Sequence, residues 1–423
     1  MNGERAPIVV MKFGGTSVGD VSRIKHVAEI VAQHRRAKPE VGVIVVLSAM
    51  AGETNKLVHL AKSCVDRPNP RELDVLLASG EQVTIALLAM RLIEQGIPAK
   101  SLLARQAQIA TNSSHTNALI ESINSGLFTS MVGDGVVPVV AGFQGVDDEG
   151  DITTLGRGGS DITAVAIAAA VGASACYIYT DVPGVFSTDP RMCKNAQLLE
   201  RVCHEEMLEM ASLGAKVLHT RSVYFAMRYQ VPLVVLSTFE GAFAPGVNGT
   251  WIVSEEERME KPIVTGVTYR SDEARLVIEG MSADIEKMSR FFSVLGEKEI
   301  FIDMISQESV DAANVNVSVT IPDESSAVAL ETARALLPEL GGIGVKIDRD
   351  IAKVSVVGIG MRYHTGVAAR AFRALARERI GITMINTSEI KMSVLVPRKY
   401  CEVAVRALHD EFIDFAPTVA AER

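Results

Sequence analysis

The 423-residue chain is 48% hydrophobic and 22% charged, which fits two or three folded domains with proper cores and excludes a disordered chain. Its 42 Lys and Arg against 51 Asp and Glu leave a net charge of −9, and without a local basic patch this excludes a nucleic-acid surface. Five scattered cysteines without C-x-x-C spacing read as reduced thiols, and the eight histidines never fall at ligand spacing, so no protein-ligated transition metal is expected. Glu4 and Arg5 precede only a short apolar run, and no run approaches the roughly 18 to 20 apolar residues that span a bilayer. A cytoplasmic protein without membrane contact is expected.

In chain order, β-branched runs at 7–13, 41–47, 136–143, 175–180 and 232–236 predict strands. Amphipathic or alanine-rich stretches at 20–36, 71–95, 160–172 and 204–229 predict helices between them. The alternation predicts an α/β domain with a largely parallel sheet covered by helices. Glycines, prolines and an acidic run at 241–262 break the rhythm and mark a domain boundary.

Beyond the boundary lies an internal repeat. "EARLVIEGM" from Glu273 matches "IAKVSVVGI" from Ile351 at an offset of 78 residues, and further apolar positions such as Phe292 and Phe372 match at 80. Each copy reads strand, helix, strand, strand, helix, as in a ferredoxin-like split β-α-β unit. Two such copies are expected to pack copy against copy or chain against chain.

Three loops carry chemistry. "GGTSVG" (Gly14–Gly19) resembles the start of a P-loop, but Asp20 and Val21 stand where Lys and Ser or Thr must follow, and no G-x-G-x-x-G opens a helix here. What remains is a strand ending in Lys12 and Phe13, then a turn whose N–H groups can face an anion while Lys12 reaches over it. A snorkelling surface lysine is the bland alternative. In "TTLGRGGSD", Arg157 among Gly156, Gly158 and Gly159 suits bidentate binding of a carboxylate. Asp161 after it could be simply an N-cap, worth about 1 kcal/mol. "YTDVPGVFSTDPR" places Thr180, Asp181, Asp189 and Arg191 around a turn that Pro183 and Gly184 explain by themselves. Two anionic ligands meeting at one sheet edge are expected.

"KFGGTSV", "LSAMAGETN", "ASGEQVT", "AGFQG", "TTLGRGGSD", "YTDVPGVFSTDPR" and "EEMLEMASLGAKVL", in this order, closely resemble the aspartate kinases of the amino acid kinase superfamily. The resemblance covers nearly the whole chain. It implies the amino acid kinase fold at 1–250 and two ferredoxin-like (βαββαβ) ACT domains, at 262–345 and 346–423. It also implies transfer of the γ-phosphoryl of ATP to the side-chain carboxylate of L-aspartate. Mg2+ would be held mainly through the ATP phosphates.

Residue by residue, the resemblance makes Lys12 the group that stabilises charge on the transferring phosphoryl and Gly14, Gly15 and Thr16 the phosphate loop. Glu81 would accept the substrate ammonium, Arg157 would pair with its α-carboxylate, and Ser48, Thr54 and Ser160 would orient it. Asp161 would lie near the reacting groups. Thr180, Asp181, Phe186, Arg191 and Lys216 fall at nucleotide-side positions, Phe186 where tyrosine is frequent. Taken alone, Glu81 could be a helix-surface carboxylate and Lys216 a cover for apolar surface.

A kinase for glutamate, N-acetylglutamate or a nucleoside monophosphate, and a non-catalytic amino-acid sensor, are the alternatives. The resemblance implies assembly through the ACT domains as a homodimer or larger oligomer, with an amino-acid effector there. The first copy departs from the family turn: "EGMSADIEKMS" (279–289) has no proline or glycine after Asp284, and Glu286 would repel an effector carboxylate. Weak or absent inhibition by lysine or threonine, or a first copy retuned to another ligand, is therefore expected; the bland alternative is a copy that serves only as a packing surface for the dimer.

Overall fold

Ile8–Phe13 forms a strand with every residue buried, because its β-branched run must be covered on both faces. It pairs in parallel with Gly42–Leu47 on one side and Ala175–Thr180 on the other. Phe13 stacks on Tyr179, with ring centroids 4.5 Å apart. The computed structural model describes residues 6–240, 249–255 and 262–413. By contact these form two units, one of 6–186, 197–212 and 216–255, the other of 187–196, 213–215 and 262–413.

In the first unit the eight-stranded sheet has the spatial order Arg201–Cys203, Thr250–Val253, Leu233–Ser237, Ala175–Thr180, Ile8–Phe13, Gly42–Leu47, Val137–Ala141, Ala99–Leu102. Leu233–Ser237 through Ala99–Leu102 are mutually parallel, and Thr250–Val253 runs antiparallel to Leu233–Ser237. In register, Phe13 faces Leu47 and Tyr179, and Leu47 faces Ala141. The loops after these four strands therefore leave one edge of the sheet together, where open α/β sheets bind ligands.

The first unit differs from expectation in three places. The expected helix 71–95 is two segments, Pro70–Leu77 and Ser79–Glu94. Together they are long and apolar enough to cross a membrane by length and composition alone, against the expectation that no segment would be. Half of the most apolar window is nevertheless buried, and Ile85, Leu88 and Leu92 belong to the core. The expected helix 204–229 is broken into His204–Ser212 and Thr220–Tyr229, with Gly214 at φ +117° between them. Part of the expected boundary, Thr250–Val253, is a strand of the large sheet, while 241–248 and 256–261 lie outside the described residues.

The second unit contains two four-stranded antiparallel sheets. Glu273–Ser282, Ile285–Glu297, Ile305–Ser309, Asn314–Pro322, Ser326–Leu340 and Gly344–Asp348 form one complete βαββαβ copy. The other copy has Ile351–Val357, Val367–Arg377, Met384–Thr387, Lys391–Pro397 and Cys401–Phe412, but takes its fourth strand, Gly266–Arg270, from before the first copy. The contiguous division expected at 345/346 is thus corrected. One copy is inserted within the other, because among the described residues Gly266–Arg270 pairs with Ile351–Val357 and with no other strand.

The two copies meet across buried Lys353, whose ammonium is 2.6 Å from Glu273 and also contacts Asp303. Segment 187–196 is fastened to this unit: Val267 N donates to Ser187 O at 2.7 Å, and Ser187 Oγ lies 2.8 Å from His409 Nε2. Cys193, His409 and Asp410 also bring ligating atoms within 4.8 Å of one another, a grouping that sequence spacing did not reveal.

Candidate active site

Lys12 is the penultimate residue of its strand, and only 8% of it is exposed. Its Nζ lies 2.5 Å from Asp161 Oδ1. Asp161 is not an N-cap, since the helix Gly159–Val171 is capped by Gly158 without a side-chain bond. Its carboxylate is therefore available to hold the ammonium, which is no snorkelling surface lysine. The turn after the strand passes so close to Ala49 that a Cβ at Gly15 would stand 2.9 Å from the Ala49 carbonyl oxygen. A Cβ at Gly14 would lie 3.4 Å from Lys12 Nζ. Among the described residues the backbone N–H groups of Gly15 and Thr16 have no acceptor, and Arg23 steadies the turn by donating to Thr16 O at 2.6 Å. Free N–H groups beside an ammonium make a phosphate cradle that side chains would fill.

Glu81 lies in the first turn of Ser79–Glu94 and is 2% exposed. Its Oε1 accepts from Ala49 N at 3.1 Å, while among the described residues Oε2 has no partner. Burial pushes its carboxyl up to about 7 from an ordinary 4.5, partly offset by backbone donors led by Ala49 N. A half-satisfied buried carboxylate is a socket for a cation. The chain around it belongs to the same edge. Ser48 N donates to Phe13 O at 3.2 Å, and Ser48 O accepts from Thr84 Oγ1 at 2.9 Å. Thr54 stands half-buried in the first turn of the helix Glu53–Cys64. Ser160 is buried against Gly142, where a Cβ would fall 2.8 Å from its Oγ.

Arg157 is exposed between Gly156 at φ +74° and Gly158 at φ +71°. Among the described residues no acidic side chain pairs with it. Two residues that sequence reasoning missed shape its loop. Arg221 donates to Leu155 O at 2.6 Å, Asn117 Oδ1 at 2.9 Å and Ala118 O at 3.1 Å. His219 packs so closely that a Cβ at Gly158 would sit 2.3 Å from its own Cβ, and burial lowers its pKa. The signal was "HTR" at a helix start, where His219 Nδ1 accepts from Arg221 N at 3.3 Å.

On the expected nucleotide side, Thr180 ends its strand and donates to exposed Asp181 at 3.1 Å. Phe186 is half-buried and bridges Leu198. Lys216 is exposed, and among the described residues no hydrogen bond or ion pair links it to the group around Lys12. Arg191 belongs to the second unit, where its fork holds Asp189 at 2.8 and 3.0 Å. Within the first unit the structure thus gathers Lys12, Gly14–Thr16, Ser48, Glu81, Ser160 and Asp161.

The sequence model of the amino acid kinase family matches residues 7–237, and that of an ACT domain matches residues 354–412. The chain is 50% identical over 419 residues to an aspartate kinase of Pseudomonas putida, covering 98% of this chain and 100% of that protein. It is 49% identical over 415 residues to an aspartokinase of Pseudomonas aeruginosa, with coverage of 98% and 100%. Among solved structures, E. coli aspartokinase III in complex with aspartate and ADP is similar at 26% identity and a TM-score of 0.78, over 96% of this chain and 100% of that one. The same enzyme in complex with lysine and aspartate matches at 27% identity and a TM-score of 0.74, with the same coverage. With a family model spanning most of the first unit and relatives about half identical along nearly the whole length, the chain belongs to the amino acid kinase family and, within it, to the aspartate kinases.

Proposed function

We propose that the chain transfers the γ-phosphoryl of ATP to the side-chain carboxylate of L-aspartate, giving 4-phospho-L-aspartate and ADP, the first step toward lysine, threonine and methionine. The observation that carries a free α-amino acid as acceptor is the buried Glu81 carboxylate with one oxygen unpartnered. The substrate ammonium completes that oxygen's hydrogen bonding. Arg157 takes the α-carboxylate as a fork, and Ser48, Thr54 and Ser160 orient the rest of the molecule.

The β-carboxylate then attacks the γ-phosphorus in line as the bond to the ADP oxygen breaks. Gly15 and Thr16 offer N–H groups to the phosphates, Gly14 shapes the turn with its own N–H donated to Tyr179 O, and Lys12 neutralises charge that builds up on the transferring group. Asp161 holds Lys12 in place by the 2.5 Å pair. Thr180, Asp181, Phe186 and Lys216 serve the nucleotide side. Arg191 would have to release Asp189 to join them. Mg2+ would travel with ATP on its phosphates. Assembly through the ACT copies as a dimer or larger oligomer is supported by the edge strand Ile305–Ser309, exposed at all five residues. A cytoplasmic location suits five free cysteines.

The test is ADP release measured with aspartate, with glutamate and with no acceptor. Saturable release with aspartate alone is expected. Equal release with glutamate overturns the substrate assignment, and no release with any acceptor makes the protein a sensor.

A further inference from the structure

Asp74 has no part in the chemistry above, yet it is 0% exposed and takes donors from three directions. It lies in the helix Pro70–Leu77. Its Oδ1 accepts from Thr154 Oγ1 at 2.6 Å, and its Oδ2 from Thr154 N at 3.0 Å. Thr116 N donates to both oxygens at 3.1 and 3.0 Å, and His115 Nδ1 lies 3.0 Å from Oδ2. A buried carboxylate is tolerable only when its lone pairs are filled in this way.

The elements it joins are the ones that carry the two ends of the amino-acid site. Asp74 and Glu81 belong to the helical stretch Pro70–Glu94. Thr154 ends the strand Ile152–Thr154, immediately before the loop that bears Arg157. That loop runs between two left-handed glycines and has little stiffness of its own. Its start is therefore fixed twice, by Asp74 on Thr154 and by Arg221 on the next residue's carbonyl, Leu155 O.

We propose that Asp74 is a positioning residue of the amino-acid site, setting the span between Glu81 and Arg157 and so fitting the site to the length of aspartate. The inference rests on the roles given to those two residues. An asparagine at 74 would offer one acceptor oxygen and turn N–H groups toward donors, leaving several buried donors unpaired. The helix and the strand would then part, and the carboxylate and ammonium contacts could not both be kept.

The test uses Asp74→Asn, Thr154→Val and Thr154→Ser, with kcat, both KM values and Tm measured on each. Asp74→Asn and Thr154→Val should raise the KM for aspartate about tenfold while the KM for ATP stays within roughly twofold. The rate with glutamate relative to aspartate should rise. Thr154→Ser keeps the hydroxyl and should restore wild-type values. If Asp74→Asn fails to fold, the Thr154 pair decides the matter by itself. A lowered Tm with an unmoved aspartate KM in Thr154→Val would overturn the proposal and leave Asp74 a fold staple. Arg157→Lys run alongside separates the two claims. If it leaves the aspartate KM unchanged, the site assignment falls, whereas if it raises that KM and Thr154→Val does not, only the role of Asp74 falls.

Discussion

Lys12 Nζ sits 2.5 Å from Asp161 Oδ1, so the end of the central strand is ion-paired to the first turn of the helix Gly159–Val171. The pair is mostly buried, with side chains 10% and 13% exposed. The ammonium is thereby held in position before any phosphate arrives, and no reorganisation is needed at the moment of transfer. Lys12→Ala should lower kcat by roughly 10³-fold, about 4 kcal/mol of barrier, with little change in the KM for aspartate. Steady-state kinetics check this, and a variant that keeps more than a tenth of wild-type kcat rejects the role.

In the proposed site Arg157 pairs with the α-carboxylate, which does not react. Arg157→Lys should therefore raise the KM for aspartate far more than that for ATP, since an ammonium cannot reproduce the fork. Equal rises in both constants would move Arg157 to the nucleotide side.

With Glu81 in its proposed role, aspartate binding should depend on pH. Burial holds its folded pKa at about 7, above the ordinary 4.5. A raised folded pKa means that the folded state favours the protonated carboxyl, so its stabilising contribution is complete below about 4.5 and is lost as pH rises through about 7. Substrate binding has the opposite slope, because the ammonium needs the ionised form. The KM for aspartate should rise by up to about tenfold per unit below pH 7, and Glu81→Gln should raise the KM and flatten both profiles. Kinetics and ligand-free melting from about pH 5 to about pH 8 test it. A Gln variant with an undiminished slope assigns the titration elsewhere.

Gly158 is left-handed, and His219 lies against its Cα. Gly158→Ala should cost about 1 kcal/mol for the backbone conformation alone. It must also push His219 aside, displacing Arg157 and raising the aspartate KM. Unchanged kinetics with only a lowered Tm would separate the loop's shape from substrate binding.

The two ACT copies present different helix starts. In the first, Asp284 fills its own helix N-terminus, accepting from Glu286 N at 2.9 Å. In the second, Gly366 at φ +85° caps the helix without any side chain, beside an open cavity of about 500 Å³ lined by Arg362, His364 and Thr387. E. coli aspartokinase III has been seen with lysine bound. Here a lysine or threonine carboxylate would compete with Asp284 at the first copy, so inhibition should be weak or absent. Initial rates at sub-saturating aspartate with lysine, threonine and methionine, singly and together, measure it. Strong inhibition below millimolar lysine, or lysine plus threonine, refutes the expectation.

The long β-branched runs, the boundaries of Val21–Ala37 and Gly159–Val171, and the turn after Lys12 were legible in local pattern, whereas Glu81, in the helix Ser79–Glu94, was singled out only by the family resemblance. The short strands Ile109–Thr111, Gln144–Val146 and Ile152–Thr154 were not, since three residues carry no period. Thr250–Val253 was masked by surrounding glycines and prolines. The bond from Thr154 to Asp74 spans 80 residues and leaves no local trace. Arg191 was placed by likeness of motif, and only the folded chain shows its fork occupied by Asp189.

The nesting of one ACT copy inside the other sets an order of events during synthesis. Gly266–Arg270 leaves the ribosome before the whole of Glu273–Asp348, yet its partner Ile351–Val357 leaves after it. The inner copy has all of its strands at hand and can close first, while the earlier strand waits unpaired. Closure of the inner copy then brings Arg270 and Lys353, which pair in register, within reach of each other and turns a distant encounter into a short one. The outer copy is sealed last, so a chain cut anywhere within the inner copy would lose both at once.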